Sequence, residues 1–572
     1  MRVGRRAVLG LGLAAGAVSA AAAAAPRPGP RIDLNGRPTP AFLNAVTEVA
    51  DYAARHLEAY GLPGLTLCLV GPNETVALVR LGEAHVERSE PVGPDHLFQI
   101  GSISKSLTAL AVYRLVEAGK LGLEDDAAAL LPGVPLPAGG GIQLRHLLDH
   151  SSGLPDDAPI FPRGGDQRLW QGYAPGSHWS YSNLGFMLLS HIVARRTGQP
   201  FPDALAELVL RPLGMTATRP AILGRDRALY AEPYAPFYPD RPHPRAGRLA
   251  HAPWVDMTEG SGSVASTGAD MARYVAWLIR AGAGGDAQPL LAKASAARYF
   301  TATVDAPGWA KDARYGAGLA HVLVDGRPML HHTGGMIGYS SSIHVDPAGG
   351  VGAFASSNVG GIDYRPRQIT AWACQRLRAA LEGDAAPAPP AAPPTAGPVA
   401  DYLGRYVDRK GQALVVEARD GGLLATLPGR SLRLEAINPD VFIHSDPEAG
   451  TLPLVFQREG KAVARAWWGA SEYLPVRGGA PAGAFAPAAP EALQRLAGTY
   501  ESDDPWRGAF HVVAQGPSLV LDGIVPVAPL PDGGFRVGEE GWSPERLSFD
   551  AAIDGVPQRA AASGADFLRR PA

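Results

Sequence analysis

Ser102 and Lys105 form the only Ser-x-x-Lys in this 572-residue chain, a spacing that lets the two side chains act as nucleophile and base. Only six of the 52 basic residues are lysines, so a lysine at this place is informative. Arginine keeps its proton in proteins, whereas a desolvated lysine can lose it and then accept the proton of a serine hydroxyl. A helix start with a surface lysine is the structural alternative, because short motifs are weak by themselves.

A second candidate lies in the polar loop 176–185, where Tyr181 and Asn183 stand two residues apart before a helical pattern. Tyr181 would relay a proton over the serine, and Asn183 would donate a hydrogen bond to a substrate amide. The structural alternative is an asparagine near a helix start, where asparagine is common.

A third candidate is the run of His332, Thr333, Gly334 and Gly335 between two predicted strands. Its glycines let an extended substrate lie beside the backbone, and the N–H of Gly335 could point at a developing oxyanion. A glycine-rich turn with two incidental histidines, His331 and His332, is the alternative.

The surrounding elements predict an α+β domain over residues 36–382. Apolar residues at three- and four-residue steps predict a helix over 40–60, and a broadly apolar helix follows Ser102 up to Ala118. One sheet is expected to collect both ends of this domain, because strands flank its helical middle. The predicted strands are Leu65–Val70, Val76–Leu81, His321–Val324, Ser341–Val345 and Gly352–Ser356.

The pattern changes beyond residue 382. An Ala/Pro-rich linker is predicted over 383–398, because such a tract cannot build a core. Glycines and aromatic residues then recur at a nearly constant spacing, as in Tyr406 and Tyr500, which indicates a duplicated unit. Two small antiparallel β domains, barrels or sandwiches, are predicted at 399–478 and 490–572, with one larger barrel from both halves as the alternative.

The first 25 residues predict a cleaved export signal with a basic start, an alanine-rich apolar stretch and an Ala-x-Ala cleavage site. Arg5-Arg6 resembles a twin-arginine signal, which predicts a periplasmic or extracellular protein. A membrane anchor is the alternative for this stretch, and no later segment is apolar enough to span a bilayer.

The net charge of −3 without a basic stripe argues against a nucleic-acid partner. Cys68 and Cys374 are either two buried thiols or one bridge formed after export.

Together and in this order, the three candidates resemble the serine hydrolases that include penicillin-binding proteins and class C β-lactamases. The resemblance covers residues 40–380 and implies a β-lactamase/transpeptidase-like α/β sandwich, followed here by the two β domains. In that fold the nucleophile starts a buried helix between a five-stranded sheet and a helical lobe. Further recurring phrases are Leu97-Phe-Gln-Ile-Gly-Ser-Ile-Ser-Lys105, Leu144-Arg-His-Leu-Leu-Asp-His-Ser-Ser-Gly-Leu-Pro155 and Pro212-Leu-Gly-Met215.

The same resemblance implies that Ser102 attacks a carbonyl to form an acyl-enzyme, while Lys105 and Tyr181 share its proton. The N–H groups of Ser102 and Gly335 would form the oxyanion hole, and Asn183 and the His332 strand would hold the substrate. No metal ion or organic cofactor is implied. The expected partner is a small-molecule or peptide substrate, and nothing in the sequence indicates an oligomeric state.

His332 departs from the β-lactamase and D-Ala-D-Ala carboxypeptidase pattern, in which the third motif begins with lysine. Histidine is mostly neutral at pH 7 and therefore grips a substrate carboxylate poorly. A histidine here with two appended β domains resembles the D-aminopeptidase, D-amino-acid amidase and esterase branch, where His332 would act on the leaving group or polarise the substrate. The predicted function is an exported serine hydrolase of D-amino-acid peptides, amides or esters rather than β-lactams.

Three alternatives stay open. The chain could be a true β-lactamase or D-Ala-D-Ala carboxypeptidase, or a penicillin- or peptide-binding sensor without turnover. The β repeats could instead be the functional part and bind a wall polymer or a partner. The chain contains neither Gly-x-Ser-x-Gly nor His-Glu-x-x-His, which argues against an α/β-hydrolase and a metal hydrolase.

Overall fold

The computed structural model of the protein describes residues 29–137, 139–162, 167–385, 387–391, 398–419, 422–446 and 449–571. The predicted export signal and residues 386 and 392–397 of the predicted linker lie outside these ranges. The strands of the first region are β1 (Arg31–Asn35), β2 (Gly64–Val70), β3 (Val76–His85), β4 (Glu90–Pro91), β5 (Phe98–Gln99), β6 (Tyr234–Pro236), β7 (Leu249–His251), β8 (Ala265–Ser266), β9 (Val304–Asp305), β10 (Arg314–Tyr315), β11 (Ala320–Val324), β12 (Arg327–Met336), β13 (Tyr339–Asp346) and β14 (Val351–Ser357). Its α-helices are α1 (Pro40–Tyr60), α2 (Ser104–Glu117), α3 (Ala127–Leu130), α4 (Leu144–Leu148), α5 (Asn183–Thr197), α6 (Phe201–Leu205), α7 (Gly268–Gly282), α8 (Lys293–Tyr299) and α9 (Arg367–Glu382).

One antiparallel sheet is the framework of this region, with strand order β1-β3-β2-β14-β13-β12-β11-β10-β9 and with β4 paired to β3. β2, from the beginning of the region, lies directly beside β14, from its end, with Cys68 opposite Phe354. The prediction that one sheet collects both ends is therefore confirmed. The sheet has ten strands, where the resemblance implied five, because short strands extend both of its edges.

Helices cover both faces of the sheet. Neighbouring side chains of a strand point to opposite faces, so Leu67 of β2 packs in the core with α1 and α9, whereas Cys68 packs in the core with α2. Cys374 of α9 lies in the first of these cores. The two cysteines therefore occupy different cores, and both are free buried thiols.

The predicted first helix is α1, and local chemistry sets both of its ends. Thr39 caps the start by accepting a hydrogen bond from the N–H of Phe42 at 3.2 Å. Gly61, with φ of 63°, ends the helix in the left-handed conformation that glycine adopts without strain. The apolar positions of the helical pattern, Phe42 and Val46 among them, are buried as predicted.

The predicted central helix is α2, which follows a 3₁₀ turn at Gly101–Ile103. Its Ser104–Tyr113 stretch is buried all round, which is typical of a helix surrounded by other elements. Ser102 thus sits where the turn meets a helix that is fixed on every side. That arrangement fixes the backbone from which Ser102 and Lys105 project.

The C-terminal third of the chain forms two closed antiparallel barrels. In the first barrel β15 pairs with both β16 and β22, and in the second β24 pairs with both β25 and β31. The prediction of two small β domains is confirmed and the single larger barrel is wrong. The barrel elements are β15 (Gly404–Val407), β16 (Ala413–Arg419), β17 (Gly422–Leu427), β18 (Arg430–Asn438), β19 (Val441–His444), β20 (Leu454–Glu459), β21 (Ala462–Trp468), β22 (Ser471–Arg477), β23 (Ala480–Pro481), α10 (Glu491–Leu496), β24 (Gly498–Glu501), β25 (Ala509–Gln515), β26 (Ser518–Leu521), β27 (Val525–Pro529), β28 (Phe535–Val537), β29 (Arg546–Ile553), β30 (Val556–Ala562) and β31 (Ala565–Arg569).

The repeated tyrosines explain part of the sequence duplication. The hydroxyl of Tyr406 donates to the carbonyl of Tyr402 at 2.9 Å, and that of Tyr500 donates to the carbonyl of Leu496 at 2.9 Å. Each tyrosine is buried and fixes the chain four residues upstream. The tyrosine at this position therefore makes the same hydrogen bond, to the carbonyl four residues before it, in both barrels.

Candidate active site

Ser102 lies in the 3₁₀ turn that precedes α2, beside strand β12. Gly101 has a φ of 53°, and a Cβ at this position would lie 2.7 Å from the backbone nitrogen of Gly335. Only glycine allows so close an approach of the two backbones. Ser102 and Gly335 line the same cavity, and an oxyanion hole formed by their N–H groups stays a prediction.

Lys105 is completely buried, and its amine has three neighbours. The Nζ atom lies 3.0 Å from Oγ of Ser102, 2.5 Å from Oδ1 of Asn183 and 2.7 Å from the carbonyl oxygen of Ser261. A neutral amine has two hydrogens and one lone pair. Because Asn183 Oδ1 and the Ser261 carbonyl can only accept, they take the two hydrogens and leave the lone pair facing Ser102.

Burial lowers the pKa of Lys105 to about 7, while the carboxyl groups of Asp156 and Asp157 oppose the shift. Burial raises the pKa of Asp156 to about 8, and its neighbours Asp157 and Glu545 add to that rise. The lysine is thus neutral in a substantial fraction of molecules near neutral pH. The predicted nucleophile and base are therefore together and in a workable protonation state.

Tyr181 lies over this pair. Its ring centre is 4.8 Å from Nζ of Lys105. Burial raises the pKa of Tyr181 well above its usual value, and a hydrogen bond with Ser102 opposes that rise. The phenol is therefore protonated at neutral pH and in contact with the serine, where it can pass a proton onward.

Asn183 is the first residue of α5, whose cap is the side chain of Ser182. Its Oδ1 accepts from Lys105, and its Nδ2 donates to Oδ1 of Asp157 at 3.0 Å. One amide hydrogen is thus engaged by Asp157, and Asn183 lines the cavity beside Ser102. Binding of a substrate amide by Asn183 stays a prediction.

His332 is buried, and both of its ring nitrogens have protein partners. Nδ1 lies 2.6 Å from the carbonyl oxygen of Thr333, and Nε2 lies 2.8 Å from the hydroxyl of Tyr315. Burial lowers the pKa of His332 well below its usual value, so the ring is neutral. We assign the proton to Nδ1, because the carbonyl can only accept, and Nε2 then accepts from Tyr315. A direct role of His332 toward substrate stays a prediction.

The two glycines of the third motif allow the strand to pass close to other groups. A Cβ on Gly334 would lie 2.0 Å from the carbonyl oxygen of Ile100, and one on Gly335 would lie 2.3 Å from Nη2 of Arg365. Thr333 lines a neighbouring cavity of about 640 Å³ that also contains Arg365. The motif therefore separates two cavities and has Ser102 on one side.

The cavity on the Ser102 side has a volume of about 320 Å³, and Ser102, Asn183 and Gly335 line it. Its walls carry several carboxyl groups, those of Asp157, Asp256, Glu259 and Asp504. The second barrel supplies part of the wall, with Asp504, Trp506 and Arg507. No sequence signal identified these residues, since they lie some 400 positions from Ser102 and belong to a separate barrel.

Other parts of the site were also missed from the sequence. The backbone carbonyl of Ser261 has no side-chain signature, and the Asp156-Asp157 pair lies just after one of the recurring phrases. In the part of the chain that the structure describes, no cluster of three His, Cys, Asp or Glu residues could hold a metal ion. Within the same residues, no helix is both long and apolar enough to cross a membrane.

Comparisons with known proteins identify the family of the chain. The model of the beta-lactamase family matches residues 49–376, more than half of the chain. Penicillin-binding protein 4* of Bacillus subtilis is 29% identical over 286 residues, 46% of this chain and 60% of that protein. A D-aminopeptidase of Gluconobacter oxydans is 28% identical over 336 residues, 52% of this chain and 58% of that protein. The chain thus spans less than two thirds of either relative.

A solved structure supports the fold. The octameric penicillin-binding protein homologue from Pyrococcus abyssi superposes with a TM-score of 0.53 and 22% sequence identity. The match covers 75% of this chain and 99% of that one. This likeness concerns the fold alone.

Proposed function

Since the chain belongs to the beta-lactamase family of serine hydrolases, we propose that it hydrolyses amide or ester bonds through an acyl intermediate on Ser102. The observation that carries the proposal is the amine of Lys105, 3.0 Å from the Ser102 hydroxyl and between two fixed acceptors. Burying an ionisable amine costs free energy of folding, and an amine that is partly neutral can accept the proton of a hydroxyl group.

In the proposed reaction, Lys105 takes the proton of Ser102 as the oxygen attacks the substrate carbonyl. The developing oxyanion accepts hydrogen bonds from the N–H groups of Ser102 and Gly335, a contribution of about 10²–10³ in rate per donor in other hydrolases. Tyr181 passes a proton to the leaving group and then helps to activate the water that releases the acyl group. Residues of the chain supply every proton transfer in this scheme.

The walls of the Ser102 cavity favour an acyl group that carries an amine. The carboxyl group of Glu259 is half-buried in this wall, and Asp157 lines the same cavity. A substrate ammonium would be attracted to these carboxyl groups. The neutral His332 offers no permanent cation for a substrate carboxylate, which most β-lactam substrates carry. We therefore favour D-amino-acid amides, peptides and esters over β-lactams.

The test compares matched substrates on purified wild type and Ser102→Ala. A D-amino-acid p-nitroanilide with a free amine is expected to react faster than its N-acetylated form, and much faster than nitrocefin. Faster turnover of nitrocefin would refute the substrate preference. Labelling of Ser102 by a fluorophosphonate, followed by the rate of deacylation, separates an enzyme from a sensor, since a burst without further turnover would refute hydrolysis.

Location and domain boundaries belong to the same proposal. We infer export from residues 1–25, and a catalytic domain at 36–382 with a linker at 383–398 before the barrels. Detection of the mature protein outside the cytoplasm, with Arg5→Lys and Arg6→Lys as the test of a twin-arginine signal, would support export. Retention of the wild type inside the cell would refute it.

A further inference from the structure

The orientation of the Asn183 side chain is decided by Asp157. A carboxylate can only accept hydrogen bonds, so it must face the NH₂ group of the amide, here Nδ2 at 3.0 Å. The carbonyl oxygen Oδ1 then points at Lys105, 2.5 Å away. Asp156 fixes the same residue a second time, because its Oδ1 accepts from the backbone N–H of Asn183 at 2.8 Å.

The Asp156-Asp157 segment is itself held by the second barrel. The backbone N–H of Asp156 donates to Oε1 of Glu545 at 2.7 Å. The two terminal nitrogens of Arg507 donate to the carbonyl oxygen of Asp157, each at 3.2 Å. Glu545 is fixed in turn by the hydroxyl of Ser563. Two separate loops of the barrel thus hold the backbone on either side of the peptide bond between Asp156 and Asp157.

We propose that Glu545 and Arg507, named here the barrel clamp, are positioning residues for hydrolysis. They act through the Asp156-Asp157 segment and Asn183 on the amine of Lys105. The inference rests on the proposed function, since it concerns the reaction at Ser102. It gives the second barrel a role in the chemistry in addition to its place in the wall of the cavity.

Loss of the clamp is expected to change both geometry and solvation at Lys105. A displacement of about 1 Å in a catalytic group costs about 10² in rate. Burial is the largest cause of the low pKa of Lys105, so entry of water along a loosened segment would raise that pKa. The ionisable groups facing Lys105 are Tyr181, His150, His332, Asp156 and Asp157, of which the last two adjoin the clamp.

The experiment measures the rate of fluorophosphonate labelling of Ser102 between pH 5 and 10 in the full-length protein. Glu545→Ala and Arg507→Ala are each expected to label about tenfold to a hundredfold more slowly at pH 7. The rising part of the curve of labelling rate against pH, called here the pH limb, is expected to lie at higher pH in both variants. Glu545→Gln is expected to recover most of the rate, because its amide oxygen can still accept from the N–H of Asp156. Asp240→Asn is the control, since Asp240 pairs with Arg570 of the second barrel and its ion pairs in the described structure are with Arg241 and Arg570 rather than with the clamp.

A purely structural role would lower the thermal midpoint and the labelled fraction without moving the pH limb. If both alanine variants keep the rate and the pH limb of Asp240→Asn, the clamp has no positioning role and the inference is overturned. If Glu545→Ala does not fold, Arg507, whose side chain is 21% exposed, carries the test through Arg507→Ala. Failure of the proposed function looks different, because the wild type would then label no faster than Ser102→Ala.

Discussion

A change in pH from 8 to 5 is expected to slow acylation of Ser102 by about a hundredfold, because it protonates Lys105. Only the neutral amine can take the hydroxyl proton, and burial sets the pKa of Lys105 to about 7. The pKa values of His150 and His332 lie well below their usual value because both rings are buried, so neither ring gains a proton over most of this range. The pKa of Tyr181 lies well above 10, so the phenol stays protonated.

The magnitude follows from the neutral fraction of the amine. With the ordinary lysine pKa of 10.5, about three molecules in 10⁴ would be neutral at pH 7, whereas a pKa of about 7 makes about half of them neutral. Burial therefore increases the active fraction by about 10³ at neutral pH. Below pH 7 each unit removes about a factor of ten.

The low pKa of Lys105 also affects how the free energy of unfolding depends on pH, in the direction opposite to that of a lysine whose pKa is raised by an ion pair. Between pH 7 and 10.5 the unfolded chain binds the lysine proton and the folded chain does not. Stability therefore rises with pH over this interval by at most about 1.4 kcal/mol per unit from this group. A wild-type curve measured against Lys105→Met isolates the contribution.

The assay is the pseudo-first-order labelling of Ser102 by a fluorophosphonate across the pH range, with circular dichroism to confirm the fold at each pH. Lys105→Arg is the matched variant, because arginine keeps the positive charge but cannot release its proton. It is expected to label no faster than background. A wild-type rate that is flat from pH 5 to 8, or a midpoint near 10, would refute the assignment of Lys105 as the base.

Three further predictions concern single residues. Ser102→Ala should abolish ester hydrolysis without a change in thermal midpoint, because losing a small hydroxyl leaves no large cavity, and remaining turnover would contradict the nucleophile. Tyr315→Phe removes the donor to His332 at 2.8 Å and leaves a buried acceptor unpaired. Its expected cost is about 1–3 kcal/mol by urea denaturation, and unchanged stability would contradict the assigned tautomer. Gly334→Ala places a Cβ 2.0 Å from the carbonyl oxygen of Ile100, two residues before Ser102. This change should lower the free energy of unfolding by about 1–3 kcal/mol and should also slow the labelling of Ser102. Gly541→Ala, with open space around its Cβ, is the control, and equal effects of the two changes would refute the packing argument.

Local spacing in the sequence determined a large part of the fold and of the site. One helical turn between Ser102 and Lys105 places their polar atoms within hydrogen-bond distance once α2 forms. Periodic apolar residues predicted α1, and the recurring glycines and aromatic residues predicted a duplicated β unit. These features depend on neighbours within a single element or repeat, so the chain order alone carries them.

The tertiary structure decided what surrounds the nucleophile. The sequence showed His332 as a neutral residue at pH 7, but its burial against Tyr315 and the use of both ring nitrogens depend on β10 lying near β12. The grip of Glu545 and Arg507 on the segment behind Asn183 joins residues about 350–390 positions apart. No periodic pattern encodes such a contact, because it depends on how the surfaces of two separate parts of the fold fit together.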